Sequence, residues 1–223
     1  MKFLTFLNYG CFDICLNMLK SAENVGIKME DFIIACMDNA SHDAFKSKGY
    51  ENAFLHIDQE IKEYQDWTFD GNSGFRKIVK HKWNLINEVH KKHPNLMWVD
   101  TDIVFKKNPV ELLSGHKEVL FQTDSPGSRI CTGFMVFNET PECRKLIEEC
   151  SLYHSDDDQL IMNHIGLSKY RQHIKLLSKE LFPNGRMYYQ ENKKENAMIV
   201  HNNWMVGVEN KILKFREEGL WFI

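Results

Sequence analysis

"LMWVDTDIVFKKNP", residues 96–109, decides how this 223-residue chain is read. Four apolar residues, Leu96 to Val99, run directly into Asp100-Thr101-Asp102, and apolar character resumes at Ile103-Val104-Phe105. Such a run reads as a buried strand that ends in two acids. Side chains alternate along a strand, so Asp100 and Asp102 are expected on one side, with Cα atoms roughly 6.5 Å apart, while Thr101 points away. Two carboxylates that close repel each other and resist desolvation unless a cation accompanies them. The pair therefore reads as a hard-metal site at the C-terminal edge of a parallel sheet, where open α/β folds bind ligands. Mn²⁺ or Mg²⁺ suits it, because few protein ligands leave positions free for substrate phosphates. The bland alternative is two acids solvated in a loop at a strand exit. On the metal reading, Asp102→Ala should leave metal-free stability unchanged or raised, since a like-charge pair is relieved.

The flanking sequence has the same alternating character. Phe3 to Leu7 is an apolar run closed by Asn8-Tyr9-Gly10 and followed by a helical pattern up to Gly26. "DFIIAC", residues 31–36, is a second strand, with a helix over His42–Lys48. Phe75 to His90 carries Ile78, Trp83, Leu85, Ile86 and Val89 at near-helical spacing and predicts a long amphipathic helix before the central strand. Glu118–Gln122 and Gly133–Phe137 read as strands, and Thr140-Pro141 opens a helix to about Cys150. "HSDDDQLIMNHI", residues 154–165, has an N-cap signature at Ser155 or Asp156. "AMIVHN", residues 197–202, is strand-like, and a charged helix follows over Glu209–Glu218. Helical and strand patterns in alternation predict an α/β fold with a mainly parallel central sheet and helices on both faces.

Composition bounds the function. Residues 1–223 fit one domain with a substantial core, at 43% hydrophobic and 26% charged. Net charge is −3, with 28 Lys and Arg scattered against 31 Asp and Glu, so no electrostatic footprint for nucleic acid exists. The six cysteines show neither a C-x-x-C pair nor zinc spacing and read as reduced thiols. The first apolar run is broken by Asn8, Tyr9 and Gly10 and lacks a cleavage site, and nothing approaches a membrane span of roughly 20 apolar residues. The expectation is a cytoplasmic protein without an anchor.

A second stretch carries chemistry. "HNNWMVGVENK", residues 201–211, follows "AMIV", so His201 should sit at a strand end as a candidate metal ligand. Gly207 allows close backbone approach and Lys211 adds a positive charge four residues on, a plausible diphosphate grip. Taken singly, His201 reads equally as a satisfied core histidine, Trp204 as packing and Lys211 as a solvated helix charge.

Taken together, these stretches resemble the nucleotide-diphospho-sugar transferase family, glycosyltransferases of the GT-A fold. "FLNYGCFDICLNMLKSAENVGI" resembles its opening strand and nucleotide-side loop, "MWVDTDIVFKKNP" its metal-binding strand, "CTGFMVFN" its donor-side strand, "DDQLIMN" its Asp-Gln helix start, and "HNNWMVGVENK" its closing segment. The resemblance spans Phe3 to Trp221. It implies a GT-A-like single domain that moves a sugar from a nucleotide-diphosphate donor, by family habit a uridine one, to a glycan or glycoprotein hydroxyl.

The resemblance further implies that Asp102 and His201 bind Mn²⁺, with Asp100 on the metal or the ribose and Thr101 and Asn203 beside the donor. Asn8, Tyr9 and Gly10 would line the nucleoside pocket, and Gly207 and Lys211 would hold the diphosphate. Thr132 and Gly133 would meet the donor sugar, and Asp124 its hydroxyls. Lys77, Lys80 and Lys82 precede the metal strand, where the family tends to carry a basic residue near the phosphates; Lys77 and Lys80 are singled out, with a solvated helix face as the alternative for all three. Asp158 and Gln159, with Asp157 beside them, would lie near the anomeric carbon, although acids there also serve a helix N-terminus. A carboxylate there deprotonates the acceptor in an inverting enzyme, whereas a retaining one steadies an oxocarbenium-like centre. Family habit favours retention.

Two other readings stand beside this one. Asp100-Thr101-Asp102-Ile103-Val104 also fits the D-x-D-x-V nucleophile pattern of haloacid-dehalogenase-type phosphatases, with Asp100 as nucleophile, Asp102 as acid/base and Mg²⁺. That motif usually opens its domain, and residues 201–211 would have no role. The other is a nucleotide-sugar binding module without catalysis.

Overall fold

The computed structural model describes residues 1–56, 81–124, 129–153 and 157–223. In chain order the elements are β1 (Lys2–Leu7), α1 (Phe12–Asn24), β2 (Phe32–Cys36), α2 (Asn39–Ser47), β3 (Ala53–Leu55), α3 (Lys82–His90), β4 (Leu96–Val99), β5 (Ile103–Phe105), α4 (Val110–Leu113), β6 (Val119–Thr123), β7 (Ile130–Phe137), α5 (Pro141–Leu152), α6 (Asp158–Lys169), β8 (Ile174–Leu176), α7 (Gly185–Tyr189), β9 (Ile199–His201) and α8 (Val208–Glu217). The main sheet runs β3-β2-β1-β4-β7-β6-β8, and β5 pairs with β9 apart from it. Most neighbours are parallel, but β7 runs antiparallel to both β4 and β6. The expected α/β architecture is present, with a mixed and mostly parallel sheet.

Burial on both faces explains the unbroken apolar strands. In β4, Met97 and Val99 pack on one side with α1 and Phe215 of α8, whereas Leu96 and Trp98 pack on the other with Trp83 and Ile86 of α3 and Leu146 of α5. Parallel strands covered by helices on each face carry no polar alternation. Helix starts follow from side-chain caps: Asp38 accepts from Ser41 N, Thr140 from Cys143 N, Asp157 from Leu160 N and Asn184 from Met187 N. Each such cap contributes about 1 kcal/mol. All six cysteines are buried and free. Among the described residues no helix is long and apolar enough to cross a membrane.

Because β1, β2 and β4 are mutually parallel, their C-terminal ends share one edge of the sheet. Asn8-Tyr9-Gly10 follows β1 there, Asp38 follows β2 and Asp100 follows β4. One expectation fails at this edge. The strand does not continue through the acids: the chain turns at Thr101 and Asp102, with Ile103 N donating to Asp100 O at 3.3 Å. Strand alternation therefore does not align Asp100 with Asp102, and Thr101 faces the cleft rather than away from it. After the turn β5 leaves the main sheet and pairs antiparallel with β9, placing Ile103 opposite His201.

No sequence signal marks β3, α4, β8 or α7. Of the helix expected over Phe75–His90, Lys82–His90 is described, and residues 75–80, with Lys77 and Lys80, lie outside the described residues. The N-cap expected at Ser155 or Asp156, which also lie outside them, is instead Asp157, whose carboxylate reaches Leu160 N three residues on.

Candidate active site

Three elements bring the metal candidates together. Asp100 leaves β4 with its N–H donating to Gly133 O at 2.8 Å, Asp102 sits in the turn, and His201 ends β9, whose next residue, Asn202, donates its N–H to Asp102 O at 2.9 Å. His201 Nε2 lies 3.3 Å from Asp102 Oδ1 and 4.0 Å from Asp100 Oδ2. One ligand atom from each of the three residues falls within 4.8 Å of the others, the one such cluster among the described residues. Two carboxylates and an imidazole suit a divalent ion.

The space for this cluster is made by Gly133. A Cβ there would stand 2.1 Å from His201 Cε1, 2.7 Å from Nε2 and 2.8 Å from Asp100 Oδ2. Register places it: Phe121 of β6 pairs with Met135 of β7, but Gln122 pairs with Cys131, so Thr132, Gly133 and Phe134 bulge opposite a single step of β6. Bulges of this kind re-aim side chains beside active sites.

Charge at the cluster is balanced by lysine. Asp102 is buried, and its Oδ2 lies 2.6 Å from Lys211 Nζ. Burial alone would raise its titration point, but Lys211 and His201 hold the carboxyl well below the usual range. Burial likewise opposes charge on His201, yet Asp102, with Cys131 beside it, raises the imidazole to about 10. Lys211 is also raised, the Asp102 charge overcoming its desolvation. Asp102 is therefore an ion-paired residue in the metal-free protein. This overturns the expectation that removing it relieves strain, because its removal would leave Lys211 and His201 without their counter-charge.

A second ion pair runs alongside. Lys82, buried under the Trp98 ring, places Nζ 2.6 Å from Asp158 Oδ2, 3.3 Å from Asp100 Oδ1 and 3.4 Å from Thr132 O. Burial opposes its charge, but Asp100 and Asp158 hold the ammonium above its ordinary range. Asp158 Oδ2 also accepts from Thr132 Oγ1 at 2.6 Å, and Asp100 Oδ1 from Trp98 Nε1 at 2.7 Å. Lys82 is thus brought to the acids, while Lys77 and Lys80 lie outside the described residues.

A cleft of about 390 Å³ opens onto these groups and is also lined by Thr101, Asp124, Asp157, Gln159, Asn203, Gly207 and Lys211. Asp157 caps α6 at its mouth. Gln159 Nε2 donates to Asp124 Oδ2 at 3.0 Å, and Asn203 Nδ2 to Asp124 Oδ1 at 3.3 Å, forming a polar wall. Gly207 opens α8 at φ 86°, a conformation that favours glycine. Asn8 is buried, and Tyr9 is exposed, stacks on Phe12 and donates its N–H to Asp38 Oδ2 at 2.9 Å. The Asn8-Tyr9-Gly10 loop lies at the same sheet edge, but the cleft lining takes Phe6, Cys11 and Ile14 from this region instead. Gln122, hydrogen-bonded to His201, was not foreseen, because only the bulge brings it there.

Comparison with known proteins bears on family and fold. The family model described as nucleotide-diphospho-sugar transferase matches residues 27–215. The chain is 28% identical to a UDP-galactose:fucoside alpha-3-galactosyltransferase of Dictyostelium discoideum, covering 100% of this chain and 43% of that protein. It is 24% identical to a UDP-D-xylose:L-fucose alpha-1,3-D-xylosyltransferase of Arabidopsis thaliana, covering 99% and 67%. The chain thus spans less than half of the first relative's length and about two thirds of the second's. Among solved structures, the galactosyltransferase LgtC in complex with donor and acceptor sugar analogs superposes with a TM-score of 0.54 at 11% identity over 90% of this chain and 86% of that one. Mouse xyloside xylosyltransferase 1 gives 0.54 at 13% identity over 91% and 97%. These likenesses establish a GT-A-like fold.

Proposed function

This chain belongs to the nucleotide-diphospho-sugar transferase family, and we propose that it transfers a sugar from a UDP-sugar to a hydroxyl of a fucose-containing glycan, with a divalent cation and with retention. The observation that carries this reading is the convergence of Asp100, Asp102 and His201 within 4.8 Å at the C-terminal edge of the sheet, with Lys211 alongside. The described lining also bears five carboxylates, those of Asp100, Asp102, Asp124, Asp157 and Asp158, against two lysines and one imidazole. A bare diphosphate would be repelled from such a cleft, so the fit requires a cation. The bound cation would offset the charge that develops on the diphosphate as it departs.

The chain's own groups fill the remaining roles. Gly207 and Val208, at the N-terminus of α8, line the cleft at a helix end that favours anions, and Lys211 adds a charge within reach of any anion beside Asp102. Asp158 accepts from an ammonium and a hydroxyl at 2.6 Å each, so it is engaged rather than poised to take a proton from an acceptor. That supports a retaining assignment in which Asp158 and Gln159 face the reacting sugar and steady positive charge. The α-linked products in the relatives' names fit retention from an α-linked donor. Those names also support the fucoside acceptor, for which exposed Val206, with Met205 beside it in the cleft lining, offers an apolar rim. The phosphatase reading loses its support, since it gives no role to His201 and Lys211 beside the acids.

The test is a screen of UDP-sugars with and without Mn²⁺, in the presence of a fucoside and of an unrelated glycoside. Metal-dependent transfer to the fucoside is expected. Nucleotide binding without hydrolysis or transfer would instead identify a binding module. For Lys211→Ala, UDP affinity should fall roughly tenfold to a hundredfold, as for loss of a hydrogen bond to a charged group, while uridine affinity stays unchanged. Equal UDP affinity in mutant and parent would remove the assigned role.

A further inference from the structure

His201 Nδ1 lies 2.6 Å from Gln122 Oε1, and both side chains are buried. Which end of an amide faces a neighbour must be judged from its hydrogen bonds, and here the other end decides. Gln122 Nε2 lies 3.2 Å from Phe182 O and 2.9 Å from Pro183 O. Carbonyl oxygens only accept, so the NH₂ group must face them, and a flipped amide would set oxygen against two oxygens. Oε1 is thereby committed to the imidazole, and Nδ1 must be the nitrogen that donates. A neutral ring that keeps its proton on Nδ1 carries its lone pair on Nε2, the atom facing Asp102 and Asp100. Cys131 Sγ, 3.8 Å from Nδ1, is a distant and weak alternative partner.

The surroundings hold this arrangement rigid. The bulge in the β6–β7 pairing sets Gln122 opposite Cys131. Phe182 is buried and stacks on Phe134 at 5.7 Å, which fixes the segment that supplies the two carbonyls. Asn184 bridges to His201, and a Cβ on Gly185 would lie 3.0 Å from His201 O, so this segment also packs against the end of β9.

We propose that Gln122 is a positioning residue that fixes the tautomer and ring orientation of His201 and so sets the affinity of the site for its divalent ion. The proposal rests on the metal reading above. Metal-ligating histidines generally donate their second nitrogen to such a partner, and its loss typically costs 10–100-fold in affinity.

The test is Mn²⁺ affinity, read by titration of the free ion's paramagnetic signal in the presence of UDP, with metal-free melting curves run in parallel. Gln122→Met removes both the acceptor and the donors, and should weaken binding by about 10–100-fold. Gln122→Glu keeps an acceptor oxygen toward Nδ1 but loses the donors to Phe182 and Pro183, so it should melt lower yet bind within a few-fold of the parent. Equal loss in both variants would mean that Gln122 acts through packing alone, and parental affinity in Gln122→Met would also overturn the proposal. As a check needing no variant, ¹⁵N-histidine spectra of the Zn²⁺-loaded protein should show His201 protonated at Nδ1; a proton on Nε2 would contradict it. A parent protein that binds no divalent ion would instead defeat the metal reading itself.

Discussion

Asp102→Asn is expected to weaken Mn²⁺ binding by more than the 10–100-fold that loss of an outer partner costs, and to abolish metal-dependent donor turnover. The substitution keeps shape and removes charge at the one carboxylate that touches both His201 Nε2, at 3.3 Å, and Lys211 Nζ, at 2.6 Å. A second effect separates this account from one in which the acids merely repel each other. With Asp102 neutral, Lys211 loses its 2.6 Å ion-pair partner and His201 keeps only the more distant Asp100, at 4.0 Å, and breaking a buried pair in this way costs about 3 kcal/mol. At about 2–4 °C per kcal/mol for a chain of this size, the metal-free Tm should fall by several degrees. An unchanged or raised Tm would mean that the Asp102–Lys211 pair carries no weight in the folded protein.

The second large effect is expected at Gly133. Alanine there would direct a methyl group 2.1 Å from His201 Cε1 and 2.8 Å from Asp100 Oδ2. The imidazole has no easy retreat, because its far side is hydrogen-bonded to Gln122 at 2.6 Å and the whole ring is buried. Overpacking of this kind typically costs about 1–3 kcal/mol, which the fold should survive, but two of three metal-facing groups must move. Metal-dependent turnover should fall at least as far as in Asp102→Asn. Gly166→Ala is the contrasting control: its Cβ would meet Met162 Sδ and Ile174 Cδ1, the ends of flexible side chains, and the change should leave turnover near the parent's. Turnover in Gly133→Ala within twofold of the parent would show that the cluster does not occupy the space this glycine leaves open.

Much of this site is local, and that part was legible in the sequence. The tetrad Leu96–Val99 announced a strand buried on both faces, and the acids after it marked the ligand edge. His201 was legible for the same reason, as a polar residue ending an apolar run. What was not legible depends on contacts between distant segments. The turn at Thr101 and Asp102 makes sense only once β5 pairs with β9, nearly a hundred residues later. Gln122 reads as one more strand residue until the bulge re-registers β6 against β7. Lys82 could not be told from Lys77 or Lys80 by sequence, because all three fall in one amphipathic pattern, and the packing of Lys82 under Trp98 is a contact that pattern does not reveal. The Asp102–Lys211 pair is not legible because the motif gives each residue a different ligand, the metal and the diphosphate, and only the fold joins them.

The central claim is that Asp100, Asp102 and His201 hold one divalent ion at the edge of the sheet. Diffraction at the manganese absorption edge, from crystals grown with UDP and Mn²⁺, tests it most directly. The account predicts a single strong anomalous peak in contact with Asp102 and His201 and with the diphosphate of UDP. A peak bound elsewhere, or UDP seated in the cleft with no manganese beside these residues, would contradict it.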